Sequence, residues 1–339
     1  MKSYNIPDIE KSLKNYPVNL SEAIRAKKTV YRHLSPTLLA KNEKLSKLLD
    51  SEIYIKHENH NITGSFKIRG GLNLLYHLKD KGITHVITFS TGNHGLSVAT
   101  SAMLNGIKAT VVIPKNSAES KIKKIKETGA TVIESGETFE EASMVVNEII
   151  KETQAYYVHP ADEPLLINGV GTEFLEIYDN LPDIDSIILP LGAGSEVAAA
   201  VTVFKTLNPK IKIYTVQAEK SPAAYLSWKF KKIIETKNET FAGGLATGKG
   251  YNLPFLIYKD NIEDFILLSE DEIYEGIALA AHYTQNLVEG AGGAALMAAI
   301  KLKDKLKNEK TVIQFSGCNA TPEEILNAYN RKSFKYGLT

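Results

Sequence analysis

The stretch Asn61-Ile62-Thr63-Gly64-Ser65-Phe66-Lys67-Ile68-Arg69-Gly70 sets a lysine between an apolar, strand-like run and a helix-like run. Its neighbours are small, polar or glycine, which leaves room for a ligand to approach the backbone, so Lys67 is the candidate reactive amine. The alternative is a solvated lysine, with Thr63 and Ser65 capping the following helix. Three more loops follow strand-like runs. Ser90-Thr91-Gly92-Asn93-His94-Gly95 opens a helix whose N–H groups and dipole favour an anion such as a carboxylate. A plain N-cap with a turn glycine is the competing reading. Pro190-Leu191-Gly192-Ala193-Gly194-Ser195-Glu196 is a small-residue loop whose amides can cradle a phosphate. It lacks the further glycine of a dinucleotide fingerprint and the Gly-Lys-Ser/Thr of a P-loop, so one isolated phosphate fits better than a nucleotide, and a tight turn is the alternative. Ser316-Gly317-Cys318-Asn319 offers a hydroxyl beside a glycine, while Cys318, with no basic neighbour in sequence, reads as structural.

An amine, an anion-binding helix start, a phosphate cradle and a hydroxyl at one edge are the parts of a pyridoxal phosphate site. The elements that must position them read as an α/β fold. Apolar, β-favouring runs predict strands at 52–57, 85–89, 109–113, 130–134, 155–158, 186–189, 212–217, 264–268 and 311–315, with helical stretches between most of them. Helices are expected at 19–26 and 65–81. Strand and helix in alternation imply right-handed crossovers and two open, mostly parallel twisted sheets covered by helices. Residues 85–159 are expected as a small domain, with 1–84 and 160–339 forming a larger, discontinuous cofactor-binding domain. Ligands in such folds bind outside the carboxyl ends of the strands, which is where the four loops fall.

Composition narrows the class. The 339 residues carry 40 basic and 39 acidic side chains for a net charge of +1, and no basic stripe interleaves with aromatics, so nucleic acid is not an expected partner. Cys318 is the single cysteine, which excludes an internal disulfide and suits a reducing compartment. The N-terminus lacks the apolar core of a signal peptide and no apolar run is long enough for a bilayer, so a cytoplasmic protein without a membrane partner is expected. His57-Glu58-Asn59-His60 lacks the spacing of the helical zinc motif and an identifiable third ligand, and no metal is expected there. Glu289 reads equally as a helix-start carboxylate or a group near a cofactor. Lys121 to Lys126 reads as a solvated helix face, and Trp228 with its tyrosines as packing of a surface helix.

Thr63-Gly64-Ser65-Phe66-Lys67-Ile68-Arg69-Gly70, followed in order by the asparagine loop, the glycine loop, Glu289-Gly290-Ala291-Gly292 and Ser316-Gly317-Cys318-Asn319, resembles the fold-type II, tryptophan synthase beta-like pyridoxal phosphate enzymes in their serine/threonine dehydratase form. The resemblance runs from Ser35 onward. It implies pyridoxal 5'-phosphate as cofactor, with Lys67 holding it and acting as acid and base at Cα. It further implies Phe66 near the ring, Asn93 at the ring hydroxyl, Gly192, Ala193, Gly194 and Ser195 at the phosphate and Ser316 at the pyridine nitrogen. Ser90, Thr91 and His94 would grip the substrate carboxylate, and Gly244 would contact substrate.

A neutral serine at the ring nitrogen does not favour its protonation, which suits prompt loss of a β-substituent over transamination. The implied activity is an L-threonine/L-serine dehydratase releasing a 2-oxo acid and ammonia from a small amino-acid substrate, in a homo-oligomer such as a dimer. Thr91 stands where related serine racemases carry a serine opposite the lysine, and its methyl crowds that face. A cation site of some relatives would fall on Glu219, the Ala223 carbonyl and Tyr225; the tyrosine replaces a carboxylate, so no metal is expected. Biosynthetic relatives carry an extra C-terminal effector domain, and control through one is not expected. The rival readings are a racemase, a lyase for another β-hydroxy amino acid such as 3-hydroxyaspartate, a β-replacement synthase, and a non-catalytic amino-acid-binding protein.

Overall fold

The computed structural model describes residues 6–90, 92–115, 117–136 and 139–338. In chain order its strands are β1 (Leu39–Lys41), β2 (Glu52–Lys56), β3 (His85–Phe89), β4 (Lys108–Ile113), β5 (Thr131–Glu134), β6 (Tyr156–Tyr157), β7 (Ser186–Pro190), β8 (Lys212–Ala218), β9 (Asp264–Leu268) and β10 (Lys310–Gln314). They form a six-stranded sheet in the order β1-β2-β10-β7-β8-β9 and a four-stranded sheet in the order β5-β4-β3-β6. Only the β1–β2 pair is antiparallel. The expected α/β class with two mostly parallel, helix-covered sheets is therefore the observed one.

The chain divides into two compact units, Ser35–Phe66 with Glu173–Thr339, and Met1–Leu34 with Lys67–Thr172. The first holds the six-stranded sheet. All five residues of β7 are buried, as expected of a parallel strand covered on both faces. Ile188, Tyr214 and Ile313 join one core with Ala294, Ala295 and Leu296 of the helix Gly290–Lys301. That helix crosses Glu270–Thr284 at glycine: a Cβ on Gly276 would lie 2.2 Å from the Gly293 carbonyl oxygen.

The second unit holds the four-stranded sheet and is larger than the expected 85–159. The helix Lys67–Asp80 carries Leu74, Leu75 and Leu78 into one core with Ile9 and Leu13 from the N-terminus, Val98 and Ala102, and Leu165 and Leu166. Apolar burial therefore draws 1–34, 67–84 and 160–172 away from the large domain to which the sequence reading assigned them. Glycines bring these helices close: a Cβ on Gly70 would sit 2.8 Å from the Leu166 carbonyl oxygen, and one on Gly169 2.6 Å from that of Arg69.

Glu163 is fully buried in this unit, where its carboxylate accepts from the Tyr156 hydroxyl at 3.1 Å and the His159 amide at 3.4 Å. Burial outweighs these bonds and pushes its carboxyl from 4.5 up to about 8. Between those values the folded chain keeps a proton that the unfolded chain has released, so stability is full below pH 4.5 and declines as pH rises through 8. Glu163→Gln keeps the acceptor and removes the titration. Unfolding midpoints measured against pH should lose that decline, worth on the order of a few kcal/mol.

Candidate active site

The segment Ser65-Phe66 is held by the strand-end loop after β10. Phe66 N donates to Ser316 O at 3.1 Å, Cys318 N donates to Gly64 O at 2.8 Å, and Ser65 bridges Gly317 antiparallel. Gly64 takes φ +69°, a left-handed conformation that favours glycine and turns the chain into the pairing. Phe66 is buried, and the next residue, Lys67, begins the helix Lys67–Asp80 in the other unit.

Ser316 is 2 % exposed, and its Oγ has no hydrogen-bond partner among the described residues. A buried hydroxyl without a partner is costly unless a ligand group satisfies it. Gly192, Ala193 and Gly194 follow β7, beside β10, so the glycine loop and Ser316 share the carboxyl edge of one parallel sheet. A Cβ on Gly192 would lie 2.3 Å from the Gly244 carbonyl oxygen, so Gly244 packs against the loop. Gly194, at φ +88°, is the N-cap of the helix Ser195–Leu207. Left-handed glycine ahead of a helix start makes an amide concavity for an anion, and the chemistry fits a phosphate. Gly192→Ala must move a backbone carbonyl. Titration of apoenzyme with pyridoxal phosphate should show affinity reduced by about tenfold or more.

Glu289 is one functional candidate whose place the sequence left open. Its carboxylate accepts from the Asn319 amide at 3.1 Å, and a Cβ on Gly317 would lie 2.8 Å from its Oε1. It thus braces the Ser316 loop. Cys318 is exposed, and its Sγ donates to Asn59 O at 3.3 Å. His57 stacks on His60 at 4.8 Å and its imidazole is held down at about 4, mainly by burial. Among the described residues no three His, Cys, Asp or Glu side chains gather to hold a metal.

In the other unit, Lys67 O accepts from Ser97 Oγ at 2.7 Å, which ties the start of Lys67–Asp80 to the helix Asn93–Asn105. Ser97 was not legible as a site residue, because only the packing of two helices brings it to Lys67. Ser90 follows β3 and accepts from Gly92 N at 3.2 Å. In the helix beyond, Leu96 N donates to Gly92 O at 3.2 Å, and the amides of its first turn point out of the helix start. Gly95 is required: a Cβ there would meet the Ser90 carbonyl oxygen at 2.4 Å. Thr91 lies outside the described residues.

The His94 ring is buried, with Nε2 3.0 Å from Thr88 Oγ1, and that hydroxyl donates to Val158 O at 2.9 Å. Thr88 Oγ1 must then accept, which assigns the proton to His94 Nε2. Burial first, then the charge of Lys67, hold the imidazole down at about 3, so it is neutral at physiological pH. What His94 presents at the helix start is its main-chain N–H.

Two parallel-sheet units with a lysine at a helix start, an amide cradle and a buried hydroxyl at strand ends define a cofactor-dependent α/β enzyme. The model of the family described as pyridoxal-phosphate dependent enzyme matches residues 30–317, and the chain belongs to that family. It is 34% identical over 322 residues to an L-threonine ammonia-lyase of Thermotoga maritima, covering 94% of this chain and 80% of that protein. It is 33% identical over 310 residues to the catabolic L-threonine dehydratase of Escherichia coli, covering 89% and 93%. Among solved structures, maize serine racemase superposes with a TM-score of 0.86 at 27% identity, covering 92% of this chain and 97% of that one.

Proposed function

We propose that the protein is an L-threonine/L-serine dehydratase, an ammonia-lyase that converts its substrate to a 2-oxo acid and ammonia. The likeness to threonine ammonia-lyases along nearly the whole chain supports the substrate class. The observation that carries the reaction type is Ser316, a buried neutral hydroxyl at the strand end where the ring nitrogen would lie.

When bound, pyridoxal phosphate supplies the electron sink that makes the substrate Cα proton removable. Lys67 would hold the cofactor and would take that proton. The amides of the Gly192–Ser195 loop would bind the phosphate, Asn93 would bond the ring hydroxyl and Phe66 would pack near the ring. Ser90, Thr91 and the His94 main-chain N–H orient the substrate carboxylate, with Gly244 also at the substrate. Ser316 Oγ would face the ring nitrogen without favouring its protonation, so loss of the β-hydroxyl would outrun transamination. The hydroxyl leaves as water, and the released enamine takes up water to give the 2-oxo acid and ammonia.

The assay is direct. Fully loaded enzyme given L-threonine or L-serine should release 2-oxo acid, and no release from either would refute the reading. Racemisation is the second reading, favoured by the likeness to maize serine racemase. Chiral analysis of recovered substrate decides it, and the added methyl of Thr91 is expected to keep racemisation the minor path. No helix among the described residues is long and apolar enough to cross a membrane, and we place the enzyme in the cytoplasm as a homodimer.

A further inference from the structure

A cavity of about 300 Å³ lies within the unit formed by Met1–Leu34 and Lys67–Thr172, and no step of the proposed reaction uses it. Its walls come from the helix Leu20–Val30 and its trailing residues, the far half of Lys67–Asp80, and the start of Pro164–Asn180. Arg25, Lys28 and Arg32 line it on one side, against the single carboxylate of Glu22. That carboxylate is engaged by Arg25 and by the Tyr16 hydroxyl at 2.9 Å. Arg32 lies over the Tyr76 ring, 4.6 Å from its centroid, and neither Lys28 nor Arg32 pairs with a carboxylate among the described residues. Three cations against one carboxylate leave the cavity an anion binder.

Asn168 gives the second requirement. Its side chain is 1 % exposed and lines the cavity. Nδ2 donates to the Pro17 carbonyl at 2.9 Å, which can only accept, so the amide orientation is fixed. Oδ1 is then left without a hydrogen-bond partner among the described residues. A buried acceptor of this kind calls for a donor. A fully ionised sulfate satisfies the cations and offers Asn168 nothing.

We infer that this cavity binds a free α-amino acid, its carboxylate on Lys28 and Arg32 and its ammonium on Asn168 Oδ1. Asn73 and His77 in one wall stand six and ten residues beyond Lys67, about 9 and 15 Å along the helix at 1.5 Å per residue. A ligand here therefore braces the helix that begins with Lys67.

The test is calorimetric titration of the holoenzyme with each proteinogenic L-amino acid, with the amine lacking its carboxylate, and with sulfate. It is repeated on the double variant Lys28→Ala/Arg32→Ala, whose side chains are exposed, one on the helix Leu20–Val30 and one just beyond it, and lie outside the catalytic machinery. At least one amino acid should bind a class of sites that the double variant weakens by about tenfold or more, with kcat unchanged in the absence of that ligand. The amine and sulfate should each bind about tenfold more weakly than that amino acid. The inference fails if no amino acid shows binding that the double variant weakens, or if sulfate binds as tightly as the amino acid, which would mark an anion site only. Either failure leaves the dehydratase assay standing on its own.

Discussion

Lys67→Ala lowers turnover by on the order of 10³-fold or more and removes the near-visible absorbance band of the bound cofactor. The size follows from the two tasks of one amine. On the proposed reading it would carry the cofactor's aldehyde and take the proton from Cα, and Ser97, which donates to its main-chain carbonyl, offers no basic nitrogen in its place. The fold should survive, because Lys67 is only half-buried and alanine is a good residue for the first turn of Lys67–Asp80. Circular dichroism checks the fold and a 2-oxo acid assay the turnover. A variant that retained more than about a tenth of wild-type kcat would require another base.

Lys56→Met has the largest expected effect on stability. Lys56 is fully buried at the end of β2, its Nζ 2.5 Å from Glu176 Oε2, 3.0 Å from Thr37 O and 3.9 Å from Glu58 Oε1. Thr37 Oγ1 donates to Glu58 at 2.5 Å and Asn61 Nδ2 does so at 2.7 Å, so the same cluster anchors the start of the Asn61–Lys67 stretch. One cation serves two buried carboxylates. Removing it takes a buried cation away from both carboxylates in a low-dielectric surround, a loss of about 3–5 kcal/mol. The unfolding midpoint should fall by several degrees, and Lys56→Met with Glu176→Met should recover part of the loss because one buried carboxylate goes with the cation. An unchanged midpoint in the single variant would contradict the geometry.

The sequence showed the strands well because each is a short apolar run between polar loops. The expected 85–89 and 264–268 match β3 and β9 residue for residue, since both are parallel strands rich in β-favouring side chains. The helices Ile6–Lys14 and Glu43–Leu49 were not read, being nine and seven residues long, too short for a periodicity to show. The domain boundary was misplaced because the partners of Leu74 and Leu78 include Ile9 and Leu13, a pairing that no local pattern encodes.

The same division runs through the site. Glycines 64, 192 and 194 announced the turns and cradles, because close backbone approach leaves a residue type behind. The Lys56–Glu176 pair, 120 residues apart, left none. Nor did the inward turn of the His94 ring, which depends on Thr88 in the neighbouring strand donating to Val158, just beyond β6.

Borohydride reduction of the loaded enzyme, followed by proteolysis and mass spectrometry, bears most directly on the claim that Lys67 carries the cofactor. A pyridoxyl-phosphate adduct confined to the peptide containing Ser65-Phe66-Lys67-Ile68 is the result expected here. An adduct on any other lysine, or none, would contradict it.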